Sequence, residues 1–330
     1  MAARSAIPAS LAGLYRPIAR DLEEVERIFA AELASPVPCV RELLTHLGHY
    51  RGKRLRPALL LLAARACGRV VPAHHVLAAV VEMVHTATLV HDDILDGAAV
   101  RRHVATINAR WDDARAVLLG DLLFTHAFYL ASTTGSAEAC RVIGAATNRV
   151  CAGELRQVGE RGNLDLTEDE YYAIIRGKTA DLTACCCRLG ALFAGASDAV
   201  VEALARYGLS LGLAFQIADD LLDLVGEERL AGKSLGTDLA QQKLTLPIIR
   251  LLQQADPDAA REIRRLLTAS GVSQRAELLR RLEQSGALAD ATRAAERHAA
   301  DARQELLTLP PSECRQVLEE LTDLVVHRGA

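Results

Sequence analysis

Hydrophobic and polar positions repeat at the helical period along most of this chain. Residues 18–34 form a first amphipathic pattern, which stops at Ser35-Pro-Val-Pro38. Apolar runs over 57–67 and 76–95 predict two further helices, parted by a break from Gly68 to Pro72. Stretches 114–131 and 139–158 predict two more. Thr167-Glu-Asp-Glu170 is a capping box that opens the helix carrying Lys178 and Thr179. Another apolar run fills 209–218, residues 226–242 have loop character, and a new helix starts at Thr245-Leu-Pro247. Beyond Ala255 the pattern is amphipathic and charged, with breaks at Gly271 and Gly286 and Pro310-Pro311 before a last helix.

Composition sharpens this picture. No proline occurs between Pro72 and Pro247, so the strongest helix breaker is missing from the middle of the chain. Half the residues are hydrophobic but only 4% are aromatic, and Ala and Leu dominate, which favours helix over strand. The expectation is an all-α bundle of long helices. No linker interrupts it, so one domain spans 1–330.

Charge and cysteine usage narrow the function classes. The net charge is −4 with no basic run, which argues against nucleic acid. No uncharged apolar stretch reaches the 18 or so residues that span a bilayer, so no membrane span is expected. The first twenty residues hold Arg4, Arg16 and Arg20 and no acid, but lack the apolar core of a secretory signal; they read as an ordinary N-terminus. The eight cysteines have no zinc spacing. Cys185, Cys186 and Cys187 point round a helix, and the rest are scattered, as in a cytosolic chain with buried thiols.

The candidate chemistry lies in two acidic helix ends. Asp92, Asp93 and Asp96 follow the apolar run Val80–Val90, with Asp92 and Asp96 on one helical face. Asp219, Asp220 and Asp223 follow a second run, with Gln216 one turn upstream. Two bare carboxylates about 4 Å apart repel by roughly 4 kcal/mol at an effective dielectric of 20, so each cluster needs a counter-charge. Semi-exposed oxygen ligands suit Mg²⁺, which keeps waters and shares its other positions with phosphate oxygens. A solvated acidic helix end is the bland reading of one such motif. Two of them point to acidic ends facing across a cavity and holding several ions.

Cations fit the same idea. His49-Tyr-Arg-Gly-Lys-Arg-Leu-Arg-Pro57 packs four cations into six residues before a helix start, a plausible phosphate site or else a solvated basic loop. Arg101 and Arg102 lie just past the first carboxylates and offer bidentate forks. His85 lies two turns before Asp92; by itself a helical His is an ordinary core or surface residue. Lys178, Lys233 and Lys243 complete a set that describes a Mg²⁺–diphosphate site, with diphosphate as leaving group. An apolar cavity below it would suit a hydrocarbon and its carbocation.

These motifs together resemble the trans-isoprenyl diphosphate (polyprenyl) synthases, from about residue 17 to the C-terminus. The resemblance is carried by Gly52-Lys-Arg-Leu-Arg-Pro57, Asp92-Asp-Ile-Leu-Asp96 with Arg101-Arg102, Gly120-Asp121, Lys178-Thr179 and Phe215-Gln-Ile-Ala-Asp-Asp-Leu-Leu-Asp223. Gly232-Lys233, Gly236-Thr-Asp238 and Lys243-Leu-Thr-Leu-Pro247 complete it. It implies antiparallel helices around a deep central cavity, a cytoplasmic homodimer, and Mg²⁺ on Asp92, Asp96 and Asp219, with Asp93, Asp220 and Lys178 also in the catalytic set. Arg101, Lys178, Thr179, Gln216, Lys233 and Lys243 match positions that hold the allylic diphosphate. Lys53, Arg56, His85 and Arg102 match the isopentenyl diphosphate site. The implied reaction ionises the allylic diphosphate, adds the isopentenyl double bond to the cation and loses a proton. Two departures stand out: His103 replaces the family's usual Gly after the arginine pair, and Val104-Ala105 replaces a common lysine-proline pair.

The growing product is expected to run along the helix that presents Asp92, past Thr88, Ala87, Val84 and Val81. Aromatic residues close the pocket beside the first motif in short-chain members, but none of these four positions is bulky. Phe124 and Phe128 are the candidate deeper floor. One helical turn is about 5.4 Å, comparable to one isoprene unit, so the expected product is longer than farnesyl diphosphate, roughly the C30–C40 class used as quinone side chains. Geranylgeranyl or farnesyl diphosphate synthesis is the nearer alternative. A class I terpene cyclase has no use for Lys53, Arg56 and a second acidic triplet; a metal phosphohydrolase reading of His91-Asp92 lacks further histidines; a non-catalytic synthase subunit fits poorly with two intact motifs.

Overall fold

The computed structural model describes residues 9–50, 52–225, 237–268 and 272–326. The fold is all-α. In chain order the helices are α1 (Ala9–Leu14), α2 (Ala19–Glu32), α3 (Pro38–Leu47), α4 (Leu55–Ala66) and α5 (Pro72–Leu95). A two-stranded ribbon follows, β1 (Val100–Arg101) and β2 (Val104–Ala105), antiparallel with Arg101 opposite Val104. Then come α6 (Ile107–Arg110), α7 (Asp113–Ser132), α8 (Ala137–Gly159) and α9 (Glu168–Ile175). A π-turn over Arg176–Ala180 leads into α10 (Asp181–Ala194), and α11 (Asp198–Val225) follows. The rest is α12 (Thr237–Ala240), α13 (Leu246–Gln254), α14 (Pro257–Thr268), α15 (Val272–Gln284), α16 (Ala287–Glu305) and α17 (Glu313–Val326).

Most of these helices start and stop where the sequence places them. Pro72 opens α5 and Pro247 sits in the first turn of α13, where a missing N–H leaves nothing unsatisfied. Thr167 caps α9 reciprocally with Glu170. Gly286, at φ 75, makes the break before α16; Gly271 lies outside the described residues.

The chain divides into two compact units that interleave along the sequence. The first comprises Met1–Thr147, Thr183–Gly208 and Leu306–Glu319; the second comprises Asn148–Leu182, Leu209–Glu305 and Glu320–Ala330.

In the first unit α5 is the central element and packs against α2, α4 and α7. The middle of α4, Leu59 to Ala64, is buried on every side, as a helix with no polar face must be. Each fully buried Leu there contributes about 1.5–3 kcal/mol of transfer free energy. Helix α10 meets α4 through Gly190: a Cβ there would stand 2.3 Å from the Leu60 carbonyl oxygen. Next to that contact His74 is fully buried; its Nδ1 accepts the Val71 N–H at 2.9 Å and its Nε2–H donates to the Gly190 carbonyl at 3.1 Å. Pro72–Leu95 and Asp113–Ser132 are long and apolar enough to cross a membrane by length and composition, a test that buried core helices also pass. The first is mostly buried within the unit, whereas α7 leaves Val117, Leu118, Leu122 and Tyr129 exposed.

The core of the second unit gathers Tyr171 and Ile175 of α9, Ile217 and Leu224 of α11, and inward faces of α13 to α16. Here too glycines set the closest approaches. A Cβ on Gly153 would lie 2.6 Å from the Lys178 nitrogen, and one on Gly212 would lie 2.5 Å from Cα of Ala180. Both glycines therefore let neighbouring helices press against the π-turn.

Candidate active site

In the first unit, α5 ends at Leu95 with Asp92, Asp93 and Asp96 on its last turn and cap. Carboxylates at a helix C-terminus face the negative end of the helix dipole, which raises their demand for a cation. Asp92 and Asp96 are half-buried, the state expected of ligands that a solvated ion can reach. Asp93 is different. It is 1% exposed, Arg101 Nε donates to its Oδ1 at 2.6 Å, and its Oδ2 has no hydrogen-bond partner among the described residues. Burial pushes its carboxyl up to about 6 against the pull of Arg101. Asp93 therefore anchors Arg101 rather than facing outward.

Seven residues back on α5, half-buried His85 sits in a field of guanidinium groups. Burial holds its imidazole well below the ordinary histidine range, and Arg56, Arg102, Arg101 and Arg54 push it the same way. Two of these four arginines are neutralised. Arg54 ion-pairs with Glu26 and donates from Nη1 to Glu82 at 2.5 Å, with the Phe29 ring 5.4 Å away; Arg101 holds Asp93. Arg56 and Arg102 have no carboxylate partner among the described residues. Burial lowers the Arg56 guanidinium, opposed by Cys186, Glu82 and Asp92, and its Nε has no partner there. Arg102 Nη1 donates to the Tyr50 carbonyl at 3.2 Å and lies over Gly52, where a Cβ would stand 2.6 Å from it. Lys53 is exposed. A neutral imidazole between two charge-unmatched guanidinium groups is suited to a multiply charged oxyanion.

Arg101 and Arg102 ride on the ribbon. Its two-residue turn has Arg102 at φ 50 and His103 at φ 66, so both central residues are left-handed, as in a type I′ hairpin. His103 adopts there the conformation that Gly takes without a steric penalty. The sequence departure thus leaves the arginines in place but strains their turn.

The expected tunnel residues divide. Val81, Val84 and Ala87 are completely buried, and Thr88 is half-buried with its hydroxyl donating to the His85 carbonyl at 2.8 Å. Phe124 is half-buried with its ring 5.8 Å from that of His91, whereas Phe128 is 36% exposed. His91 itself donates from Nε2 to the Val117 carbonyl at 3.1 Å, directly over Gly120.

The second unit holds the other half of the predicted set. The π-turn adds one residue between α9 and α10 and carries Lys178 and Thr179 on it. Lys178 Nζ pairs with Glu154 at 2.9 Å and donates to Gln157 at 2.8 Å. Thr179 donates to Gln216 Oε1 at 2.7 Å, and Gln216 Nε2 donates to Asp220 Oδ1 at 2.8 Å. Tyr171 donates to the other Asp220 oxygen at 2.6 Å. Burial and repulsion from Asp238 push the Asp220 carboxyl up to about 8 despite those two donors. Asp219, half-buried on the same turn, is the carboxylate presented outward. Asp223 is occupied as a cap: its oxygens accept from the Thr237 hydroxyl at 2.9 Å and the Asp238 N–H at 3.1 Å at the start of α12. Lys243 is half-buried, and its N–H donates to the Asp238 carbonyl at 2.8 Å. Lys233, with Gly232 and Gly236, lies outside the described residues.

Among the described residues, no three His, Cys, Asp or Glu side chains converge into a group able to hold an ion alone. Sequence reasoning missed Glu82, read as part of an apolar run although it pairs with Arg54, and the tyrosines Tyr50 and Tyr171. Glu82 is a lone acid inside an apolar run, whereas Tyr50 sits in a basic stretch and Tyr171 directly after an acidic one, where nothing local marks either tyrosine.

Comparison with known proteins bears on this geometry. A profile of the family described as Polyprenyl synthetase matches residues 37–283. The all-trans-nonaprenyl-diphosphate synthase (geranyl-diphosphate specific) of Rhodobacter capsulatus is 37% identical over 96% of this chain and 97% of its own. The octaprenyl diphosphate synthase of Escherichia coli is 34% identical over 94% of this chain and 96% of its own. A crystal structure of a polyprenyl synthase from Caulobacter crescentus, complexed with calcium and isoprenyl diphosphate, superposes with a TM-score of 0.91 at 37% identity, over 96% of this chain and 97% of that one.

Proposed function

Because the chain belongs to the polyprenyl synthetase family, we propose that it is a Mg²⁺-dependent prenyltransferase that condenses isopentenyl diphosphate with an allylic diphosphate into a medium- or long-chain all-trans polyprenyl diphosphate. The observation that carries this reading is the imidazole of His85 set among guanidinium groups, two of them without a carboxylate partner among the described residues, on the helix that ends in Asp92, Asp93 and Asp96. A terpene cyclase has no second diphosphate to place there.

The residues divide the work. Arg56, Arg102, Lys53 and neutral His85 bind the isopentenyl diphosphate, His85 as a hydrogen-bonding group rather than as a fourth cation. Lys178, Thr179, Gln216, Lys233 and Lys243 hold the allylic diphosphate, with Arg101. Asp92, Asp96 and Asp219 would hold Mg²⁺, while Asp93 and Asp220, each locked by donors, keep neighbouring groups in place. Bound Mg²⁺ would supply charge stabilisation to the departing diphosphate. In the reaction the allylic C–O bond breaks with its electron pair on diphosphate, the isopentenyl double bond forms the new C–C bond, and a proton leaves the adduct.

The chain acts as a cytoplasmic homodimer without a membrane span. Support for the dimer comes from α7, where Leu118 is 67% and Tyr129 64% exposed in an otherwise apolar helix.

Incubating the purified chain with Mg²⁺, farnesyl diphosphate and isopentenyl diphosphate tests the reading. Polyprenyl products longer than farnesyl are expected. Cyclic hydrocarbon, free phosphate alone, or no turnover by the chain on its own would each overturn it.

A further inference from the structure

The ribbon that carries Arg101 and Arg102 does not hold its own shape. Each strand has two residues, and both turn residues, Arg102 and His103, occupy the left-handed region that L side chains disfavour. Something outside the ribbon must keep the arginines where they are.

That support comes from the end of α3. His46 is 7% exposed there and donates from Nε2 to the carbonyl of Ala105 at 2.7 Å. Its Nδ1 accepts from Arg110 Nη1 at 3.4 Å, which fixes the tautomer: the proton sits on Nε2, facing the ribbon. The ring is wedged edge-on between Trp111, with centroids 5.1 Å apart, and Tyr50, 6.1 Å away. Tyr50 continues the brace, its hydroxyl accepting the Ile107 N–H at 3.0 Å while its carbonyl accepts from Arg102. From the other side Thr106 donates to the Ala98 carbonyl at 2.6 Å, closing the base of the ribbon. Among the described residues, the His46 contact is the one in which an outside side chain reaches a strand backbone of the ribbon, two residues past the strained turn.

We propose that His46 is a positioning residue for the isopentenyl diphosphate: through the Ala105 carbonyl it holds the strained turn that aims Arg102, while Arg101 is held separately through its side chain by Asp93. His46 touches no substrate in this role. The inference rests on the reading that Arg102 binds that diphosphate. A glycine at position 103 would favour the same turn without help, so the importance of His46 is tied to the residue at 103.

Steady-state kinetics with isopentenyl diphosphate varied at saturating farnesyl diphosphate tests this. His46→Ala is expected to raise the KM for isopentenyl diphosphate about fivefold, the weight of one well-formed hydrogen bond, with kcat and the allylic KM within about twofold of wild type. His46→Gln, whose amide nitrogen reaches the place of Nε2, is expected to restore most of the loss. His46→Ala in a His103→Gly background is expected to show little of it. An unchanged KM in His46→Ala, equal effects on both substrates, or the same effect with and without His103→Gly would overturn the proposal. Arg102→Ala separates the levels: if it raises the KM and His46→Ala does not, only the positioning role falls; if Arg102→Ala itself has no effect, the reading of the site falls with it. Circular dichroism and melting curves of every variant confirm that folded protein is compared.

Discussion

The hydroxyl of Thr179 and the side-chain oxygen of Gln216 lie 2.7 Å apart, and the same amide reaches Asp220 with its nitrogen at 2.8 Å. Gln216 thus reads a donor on one side and an acceptor on the other, which its amide does and a carboxylate in its place does not. Gln216→Glu replaces the N–H with an oxygen facing Asp220, so two carboxyls must share one buried place. Turnover is expected to fall about 100-fold through the displaced side chains. Thr179→Val, which removes one hydrogen bond, is expected to cost about tenfold. Rates at saturation of both substrates decide it; a Gln216→Glu enzyme within threefold of wild type contradicts the bridge.

Asp92→Ala and Asp219→Ala each remove a half-buried carboxylate from an acidic helix end. Both variants are expected to keep the helical spectrum and lose about 10³-fold or more in kcat, since they strip charge stabilisation from the leaving group. Near-normal rates in both would exclude the metal-assisted reading.

The cations should separate by substrate. Arg56→Ala and His85→Ala are expected to raise the KM for isopentenyl diphosphate about tenfold or more, as charge-assisted contacts do, while Lys243→Ala acts on the allylic substrate. Varying each substrate in turn against each variant gives the answer. Three variants that all changed only the allylic KM would reverse the assignment.

Stability should fall on the acid side because of buried histidines. Burial depresses His74, outweighing the two backbone hydrogen bonds that raise it; His75 adds to the depression and Asp21 opposes it. The folded state therefore prefers neutral His74, while the unfolded chain takes up a proton near pH 6.5. Stability is full above about pH 6.5 and declines as the pH drops toward the depressed folded value, with His85 acting in the same direction. His74→Gln is expected to be less stable by about 1–3 kcal/mol at pH 8, yet to show a shallower decline between pH 7 and 5. Urea unfolding across that range measures both; an unchanged slope in the variant removes His74 as the source.

Product length tests the tunnel. Ala87→Phe is expected to shorten the product distribution, and because Ala87 is fully buried it should also destabilise the fold by about 1–3 kcal/mol. Phe124→Ala and Phe128→Ala are expected to lengthen it, Phe124 more, since it is the more enclosed of the two. Chromatography of the products shows the outcome. A wild type that stops at farnesyl diphosphate, or an Ala87→Phe product identical to wild type, rules out this path.

Much of this was legible in the chain itself, for a physical reason. Long helices with apolar faces declare their period, and the aspartates at the ends of α5 and α11 stand out because acids are unfavourable at that end of a helix. What stayed hidden was short or strained. Helix α3 begins among the prolines that were read as the end of α2, although a proline at the first position starts a helix as readily as it ends one. The ribbon from Val100 to Ala105 has neither strand length nor an Asn-Gly turn, and Arg102-His103 gives no hint of left-handed backbone. The roles of Glu82, Tyr50 and Tyr171 depend on partners far away in sequence, which no local pattern reports.

The π-turn at Arg176–Ala180 has a consequence for how this stretch tolerates change. It holds one residue more than the α-helical turn it replaces. Deleting any one of its five positions would fuse the flanking helices into one continuous rod and swing the two halves by about 100° about the axis. Lys178 could then not meet Glu154 and Gln157 while Thr179 met Gln216. The segment's residue count is thus read by its neighbours as strictly as the identities of Gly177, Lys178 and Thr179, and a change of length is expected to break both contacts at once.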